Sequence, residues 1–280
     1  MGKRCWLNNK TVVVTGASSG MGAGIAETLI KNHSCTVIGI ARREKNMLEF
    51  VDKLGNEYKD KFSYQLFDVS SKESWDNFAS DIKEKGIKVD ILVNNAGILP
   101  RFASFEKYSE EEINNAMNIN FYSAVYSTQA MLPILLESDE PAIINIDSAA
   151  ALMTLAGTSI YSASKAALKS FTEALRMEYK RKMYVGLVCP GFTKTNIFRN
   201  QKSGTNQSDQ KIIDMFSTDC DKMVRRIMRG IRRKKPMQVR GTDAHLMSGF
   251  NRAFPVGGSK LFSSVMEKAK ANIFNDVFNI

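Results

Sequence analysis

Thr11-Val-Val-Val-Thr15 runs directly into Gly16-Ala-Ser-Ser-Gly20-Met-Gly22, and a helical pattern with Ile25, Leu29 and Ile30 on its apolar side follows. The β-branched run reads as a buried parallel strand, which shows no polar alternation because both of its faces are covered. Gly16 permits the tight turn, Gly20 lets main chain approach a pyrophosphate, and Gly22 allows close packing of the helix. The amides at the helix N-terminus then face the negative charge. Ordinary tight turns also use glycine, and the spacing Gly-x-x-x-Gly-x-Gly differs from the commoner Gly-x-Gly-x-x-Gly. The reading therefore rests on the order of strand, turn and helix, which is the context a dinucleotide site requires.

The second strand, Thr36-Val-Ile-Gly-Ile40, ends in Ala41-Arg42-Arg43. A site for NAD presents an acid at this strand end to hold the adenosine ribose. This chain presents two arginines, whose charge and bidentate fork suit a 2′-phosphate. NADP is expected over NAD, with Arg42 the better placed of the two, Arg43 beside it and Ser18 a second contact. The other reading keeps both arginines as solvated loop residues.

Further along, Ile-Asn-Ile-Asp-Ser148 is followed by Tyr161-Ser-Ala-Ser-Lys165. The small flank is compatible with helix, and a Tyr and a Lys four apart share one helical face. A free phenol, with a pKa of about 10, is a poor acid–base group near neutrality. A neighbouring ammonium favours the phenolate and lowers that pKa, while a Ser hydroxyl can hold a carbonyl oxygen. Such a pair occurs by chance in many helices. Downstream of a nucleotide turn, it equips the chain to move a proton on or off an alcohol oxygen.

These segments, in this order, resemble the short-chain dehydrogenase/reductase superfamily in its single-domain form. Thr15-Gly16-Ala-Ser18-Ser19-Gly20-Met21-Gly22 is similar to the family's glycine motif, and Asp68-Val69 falls where the family places its adenine contact. Asn94-Asn95-Ala96-Gly97 resembles the segment that stabilises the central sheet beside the cofactor, and Asn120 matches the family's helix asparagine. Ser148, Tyr161 and Lys165 match the remaining catalytic positions, and Pro190-Gly191-Phe-Thr193-Lys-Thr195 resembles the segment that closes over the nicotinamide. The resemblance implies hydride transfer between a nicotinamide cofactor and a carbonyl–alcohol pair. It implies that Tyr161 gives or takes the hydroxyl proton and that Lys165 lowers its pKa and binds the nicotinamide ribose. Ser148 would hold the substrate oxygen, and Asn120 would anchor a water linking Lys165 to solvent. One departure stands out: Asp147 precedes the serine where a small residue is usual, and it either perturbs that serine or faces away.

At 280 residues a single domain is expected. Strands over 11–15, 36–40, 63–67, 90–93, 142–146, 184–188 and 236–240, joined by helices on right-handed crossovers, give a Rossmann-type α/β fold. That fold is a doubly wound parallel sheet of about seven strands with helices on both faces. Residues 10–195 would form the cofactor-binding and catalytic core, 196–216 a substrate lid, and 217–280 a basic helix, the last strand and an apolar C-terminal extension. Cys5, Cys35, Cys189 and Cys220 show no metal-binding spacing and fit a reducing compartment, with Cys35 and Cys189 expected in the interior. His33 and His245 are isolated, which argues against a Ser-His-Asp hydrolase, and no metal site is expected. No signal peptide, myristoylation signal or membrane span is read, so a cytoplasmic protein is expected.

The net charge of +10 is concentrated between Lys222 and Arg240, a stretch with nine basic residues and no acid. Met223, Val224, Ile227, Met228 and Ile231 recur there at helical spacing, predicting an amphipathic helix with a basic outer face, capped by Ser217 or Thr218. That face is either solvated or drawn to an anionic substrate, a membrane surface or nucleic acid. Nucleic acid is the weakest of the three, because no aromatics interleave with the cations. Peripheral membrane contact stays open.

Ile197, Phe198, Ile212, Ile213, Met215 and Phe216 flank a polar lid and could form one apolar wall, with Ile98, Leu99 and Phe102 opposite. Leu246, Met247, Phe250, Phe254, Leu261, Phe262, Val265 and Met266 are too apolar for a free tail and should pack on the substrate mouth, a partner subunit or a membrane. These features point to a ketone or secondary alcohol of medium or bulky apolar type, such as a hydroxysteroid or bile acid. The alternatives are a 3-oxoacyl reductase acting on a carrier-bound substrate and a non-catalytic NADP-binding regulator. Two helices, 110–132 opened by the capping pattern Ser109-Glu-Glu-Glu112 and 161–180 with Ala163, Ala166 and Ala167, permit the homodimer or homotetramer that the resemblance implies.

Overall fold

Alternation along a strand sends neighbouring side chains to opposite faces, so a sheet covered on both sides needs two apolar layers. The computed structural model describes residues 5–195, 197, 217–268 and 275–278. Its strands are β1 (Thr11–Thr15), β2 (Thr36–Ala41), β3 (Phe62–Leu66), β4 (Ile91–Asn94), β5 (Ala142–Ile146), β6 (Tyr184–Pro190) and β7 (Met237–Arg240). They form one parallel sheet in the order β3-β2-β1-β4-β5-β6-β7. All seven predicted strands are present, with bounds shifted by no more than two residues.

Val12, Val14, Ile91, Val93, Ile144 and Ile146 face one layer. That layer is built from α1 (Gly20–His33), α2 (Glu44–Leu54) and α7 (Cys220–Arg232). Val13, Leu92 and Ile143 face the other, where Trp75 and Phe78 of α3 (Lys72–Glu84), Met131 of α5 (Ser123–Leu135) and Leu175 of α6 (Ser159–Glu178) complete the core. Cys35 and Cys189 are buried, and all four cysteines are free thiols.

The chain moves outward from β1 to β3, then returns to place β4 on the other side of β1. Loops leaving β1 and β4 therefore diverge, opening a crevice at the carboxyl ends of the strands. A buried polar chain crosses the sheet beside it. Ser127 Oγ donates to Asn94 Oδ1 (2.7 Å), Asn94 Nδ2 to Asn145 Oδ1 (2.9 Å), and Asn145 Nδ2 to Thr172 Oγ1 (2.8 Å). Asn94 and Asn145 are register partners on β4 and β5, so this chain ties α5, both strands and α6 together.

Several elements depart from the expectation. The helix predicted over 110–132 is α4 (Glu110–Met117), a π-helical turn over Asn118–Tyr122, and α5. Its capping box forms as predicted, with Ser109 Oγ accepting from the Glu112 amide. The helix predicted over 161–180 starts two residues earlier, at Ser159. The cap of α7 is neither Ser217 nor Thr218 but Asp219, whose carboxylate accepts from the Lys222 amide at 3.0 Å. Thr218 is committed elsewhere: its main chain pairs with Phe192 and Lys194 across a parallel bridge. The outer face of α7 carries exposed Arg225, Arg229 and Arg232, while Met223, Val224, Ile227, Met228 and Ile231 are buried.

Past β7 come α8 (Thr242–Ala253), α9 (Gly257–Lys268) and the short α10 (Asn275–Phe278). The apolar extension divides. Met247 is buried with Phe262 packed beside it, against Met153 and Leu155, whereas Leu246, Phe250, Phe254 and Leu261 are exposed. Apart from Ile197, the predicted lid with Phe198, Ile212, Ile213, Met215 and Phe216 lies outside the described residues, as do the side chains of Val265 and Met266. No helix among the described residues is long and apolar enough to cross a membrane.

The sheet-crossing chain makes a direct prediction. Asn94→Ala should destabilise the protein by about 2 kcal/mol or more, because it strands the Asn145 carbonyl and the Ser127 hydroxyl away from water. Urea denaturation would show this as a lower midpoint at constant slope. An unchanged midpoint would remove the chain as the tie between β4 and β5.

Candidate active site

The glycine turn leaves β1 with Gly16 at φ +66° and Gly20 at φ +55°, both in the left-handed region that glycine tolerates. A Cβ on Gly22 would lie 2.2 Å from the Gly16 carbonyl oxygen, so no side chain fits there. Ser19 precedes α1 in extended conformation and makes no side-chain cap, and no acid occupies the first turn of the helix. The first amides of α1 thus lack both a capping oxygen and a competing charge. Thr15 Oγ1 accepts from the Asn95 and Ala96 amides, each at 2.9 Å, and Asn95 Nδ2 donates to the Thr15 carbonyl. Thr15 thereby locks the segment after β4 against the turn after β1.

Arg42 and Arg43 emerge exposed from the end of β2, whose Ile40 carbonyl accepts from the Gly16 amide at 2.9 Å. Arg42 Nη1 lies 3.6 Å from Asp68 Oδ2. Burial opposes ionisation of Asp68, but bonds from the Ser70 amide and hydroxyl, with Arg42 nearby, hold its carboxyl below the usual range. Val69 is buried, and its carbonyl accepts from the Trp75 indole at 2.9 Å. Residues 42, 43, 68 and 69 do not line the cavity that holds Tyr161.

That cavity brings together Ser148, Tyr161 and Lys165 with Met21 of α1, Asn95 and Gly97 after β4, and Pro190, Gly191, Thr193 and Thr195 from the end of β6 and the segment after it. Ile98, Leu99, Phe102, Leu155, Phe192 and Met247 supply apolar wall. Ser148 follows β5 and accepts from the Ala150 amide at 3.1 Å. Tyr161 and Lys165 sit one turn apart on α6, and Lys165 Nζ reaches the Ile146 carbonyl at 3.4 Å. Asn120 lies in the π turn, a distortion often found at functional positions. Its Oδ1 accepts from the Ile98 amide (2.8 Å), and its Nδ2 donates to the Ile98 carbonyl (3.0 Å) and to Ser164 Oγ (3.1 Å). Both amide hydrogens are thus taken by protein. A Cβ on Gly97 would lie 3.2 Å from Asn120 Oδ1 and 3.5 Å from Lys165 Nζ, so these two groups face the same spot.

The electrostatics correct one expectation. Lys165 was expected to depress the phenol of Tyr161, yet burial pushes that phenol up to about 12, with Ser148 lowering it and Asp147 raising it further. The lysine is itself buried, and loss of hydration lowers its pKa, with attraction to Asp147 working the other way. Asp147 does not face away. It lines the cavity, is only 4 % exposed, and among the described residues no side chain bonds its carboxylate, which has the Ser148 amide beside it.

Two positioning side chains escaped the sequence reading. Thr15 belongs to the glycine motif, where nothing in the sequence marks its hydroxyl as a double acceptor. Asp243 of α8 accepts from the Phe192 amide at 2.6 Å and holds the Pro190-Gly191 segment, yet no local pattern marks it. Among the described residues no group of His, Cys, Asp and Glu could hold a metal ion.

A family model described as short chain dehydrogenase matches residues 10–206. Among curated relatives, the 11-beta-hydroxysteroid dehydrogenase-like 2 protein of Arabidopsis thaliana is 32% identical over 229 residues, covering 81% of this chain and 72% of its own. Among solved structures, a short-chain dehydrogenase from Streptomyces avermitilis superposes with a TM-score of 0.76 at 28% identity, over 93% of this chain and 98% of its own. A second, a putative short chain dehydrogenase from Shigella flexneri complexed with NADP, has a TM-score of 0.71 at 25% identity, over 84% and 98% of the two chains. With a nucleotide turn, a crevice at the strand ends and a Ser–Tyr–Lys cavity already in place, these matches make the chain an oxidoreductase that belongs to the short-chain dehydrogenase family.

Proposed function

We propose that the protein is an NADP(H)-dependent oxidoreductase that interconverts a ketone and a secondary alcohol, with a bulky apolar molecule such as a hydroxysteroid as substrate. The observation that carries this reading is the single cavity in which Ser148, Tyr161 and Lys165 meet a wall of Ile98, Leu99, Phe102, Leu155, Phe192 and Met247. Such a wall favours an apolar body, while the three polar side chains converge on one oxygen. The Arabidopsis relative's name, 11-beta-hydroxysteroid dehydrogenase-like 2, lends support to the substrate class.

The nucleotide side suits a dinucleotide. The closed space at Gly22 and the uncapped start of α1 leave main-chain amides for a pyrophosphate. Exposed Arg42 at the β2 end offers its fork to a 2′-phosphate, with Arg43 next to it in sequence and Ser18 supplied by the glycine turn, and no acid replaces it at that position. Asp68 and Val69 would flank the adenine. Asn95, Ala96 and Gly97 would border the nicotinamide ribose from one side, and Pro190, Gly191, Thr193 and Thr195 from the other. The cofactor, when bound, supplies or accepts the hydride.

The protein's own part is proton traffic. In the reductive direction Ser148 holds the carbonyl oxygen, and Tyr161 donates its phenolic proton as that oxygen gains charge. Lys165 sits a turn away and steadies the resulting phenolate. Asn120 fixes the Ile98 main chain and, through Ser164, the helix that carries Tyr161. Its Oδ1 and the lysine face the same spot beside Gly97, which is where a water joining Lys165 to solvent would belong.

Two substitutions test this reading. Tyr161→Phe should lower turnover of a ketone by about a hundredfold or more while leaving NADPH affinity unchanged; full turnover would end the mechanism. Arg42→Asp should shift the NADP-to-NAD ratio of kcat/KM toward NAD by about tenfold or more, since it removes a charge-assisted contact and adds repulsion. An unchanged ratio would take Arg42 out of the phosphate site.

A further inference from the structure

We propose that Asp147 is a positioning residue for proton transfer, whose buried carboxylate counters Lys165 and so sets the pH range in which Tyr161 yields its proton. The inference rests on the reading of Tyr161 as the proton donor.

The placement is fixed by the sheet. Asp147 directly follows β5, and its amide donates to the Val188 carbonyl at 2.7 Å, continuing the β5–β6 ladder. Its side chain lines the same cavity as Ser148, Tyr161 and Lys165, with both oxygens buried, no side chain bonded to them among the described residues, and the Ser148 amide beside them. Lys165 Nζ contacts the carbonyl of Ile146, the residue just before it, so amine and carboxyl share one end of β5. They do not form a contact ion pair. Their attraction acts through a dry interior, where charges are poorly screened.

A carboxylate buried with only the Ser148 amide to favour its charge is costly, and a serine or alanine would fill the position without that cost. The groups that act on it come from two elements. Besides the adjacent Ser148 amide, there are Lys165, Lys169 and Glu173 from α6 and Cys189 from β6. Lys169 and Glu173 pair with each other at 2.9 Å, which leaves Lys165 as the uncompensated opposite charge.

The consequence for Tyr161 follows from signs. A protonated Asp147 leaves the Lys165 ammonium free to favour phenolate, whereas an ionised one cancels it and keeps the proton on the phenol. Burial raises the Asp147 carboxyl well above the usual carboxylate range, against the pull of Lys165, so it ionises over a higher range of pH than an exposed aspartate. As pH rises through that range, the anion appears and extends the interval in which Tyr161 remains an acid. The acid form is the one that carbonyl reduction requires, so Asp147 keeps the reductive direction supplied with its proton at higher pH.

The test compares wild type with Asp147→Asn and Asp147→Ser, after thermal unfolding has confirmed that each is folded. Removing a negative charge favours the deprotonated form of both neighbours. With NADP(H) saturating, the pH at which reduction declines and oxidation rises should move down by about one unit or more in both variants. In protein labelled with 13C-lysine, the Lys165 resonance, assigned through Lys165→Met, should likewise titrate at lower pH. Superimposable rate profiles together with an unmoved Lys165 titration would overturn the proposal. A wild type that reduces no carbonyl would remove the oxidoreductase reading of the site, and the Lys165 titration would still decide whether Asp147 counters it.

Discussion

The reversal of strand order between β1 and β4 is the constraint on which the rest of this molecule depends. Parallel strands joined by crossovers must go out from the middle of the sheet and come back, and the loops part where the direction changes. An open crevice would be a poor site if its two lips could move independently. Thr15 prevents that by accepting both the Asn95 and Ala96 amides, so the glycine turn after β1 and the segment after β4 are one unit. The Ser127–Asn94–Asn145–Thr172 chain extends the same tie across the sheet to α6, the helix that carries Tyr161 and Lys165.

On this frame the chemical groups are held by parts remote from one another in sequence. Asn120 clamps Ile98 with a donor and an acceptor, then reaches Ser164 on α6. Asp243, from the region past β7, holds the Phe192 amide and with it the segment that closes the cavity. The Thr193–Thr218 bridge anchors that segment's far end and displaces the cap of α7 onto Asp219. Each contact settles a loop that the helices and strands alone would leave undetermined.

The electrostatic picture differs from that of a solvated Tyr–Lys pair. In water an ammonium four residues away would favour the phenolate; inside this protein the loss of hydration penalises every charged form at once. Tyr161 moves up and Lys165 down for the same reason, and Asp147 moves up beside them. Three buried titratable groups therefore divide fewer charges than their ordinary pKa values imply.

Much of this was legible from the chain. The β-branched runs and glycine turns identified seven strands, because a strand buried on both faces leaves a run of apolar residues that does not depend on its neighbours. The Ser109–Glu112 capping box and the basic and apolar faces of α7 were equally local patterns, set by spacing along one helix. Residue types and spacing likewise singled out Ser148, Tyr161 and Lys165, which the fold brings to one cavity. What only the tertiary structure decided were features that depend on residues far apart in sequence. The π turn at Asn120, the committed main chain of Thr218, the split of the C-terminal extension into packed Met247 and exposed Phe254, and the inward direction of Asp147 all belong here. A sequence names which charges exist, but their energies depend on solvent exclusion and on distance to one another, and the fold alone sets both.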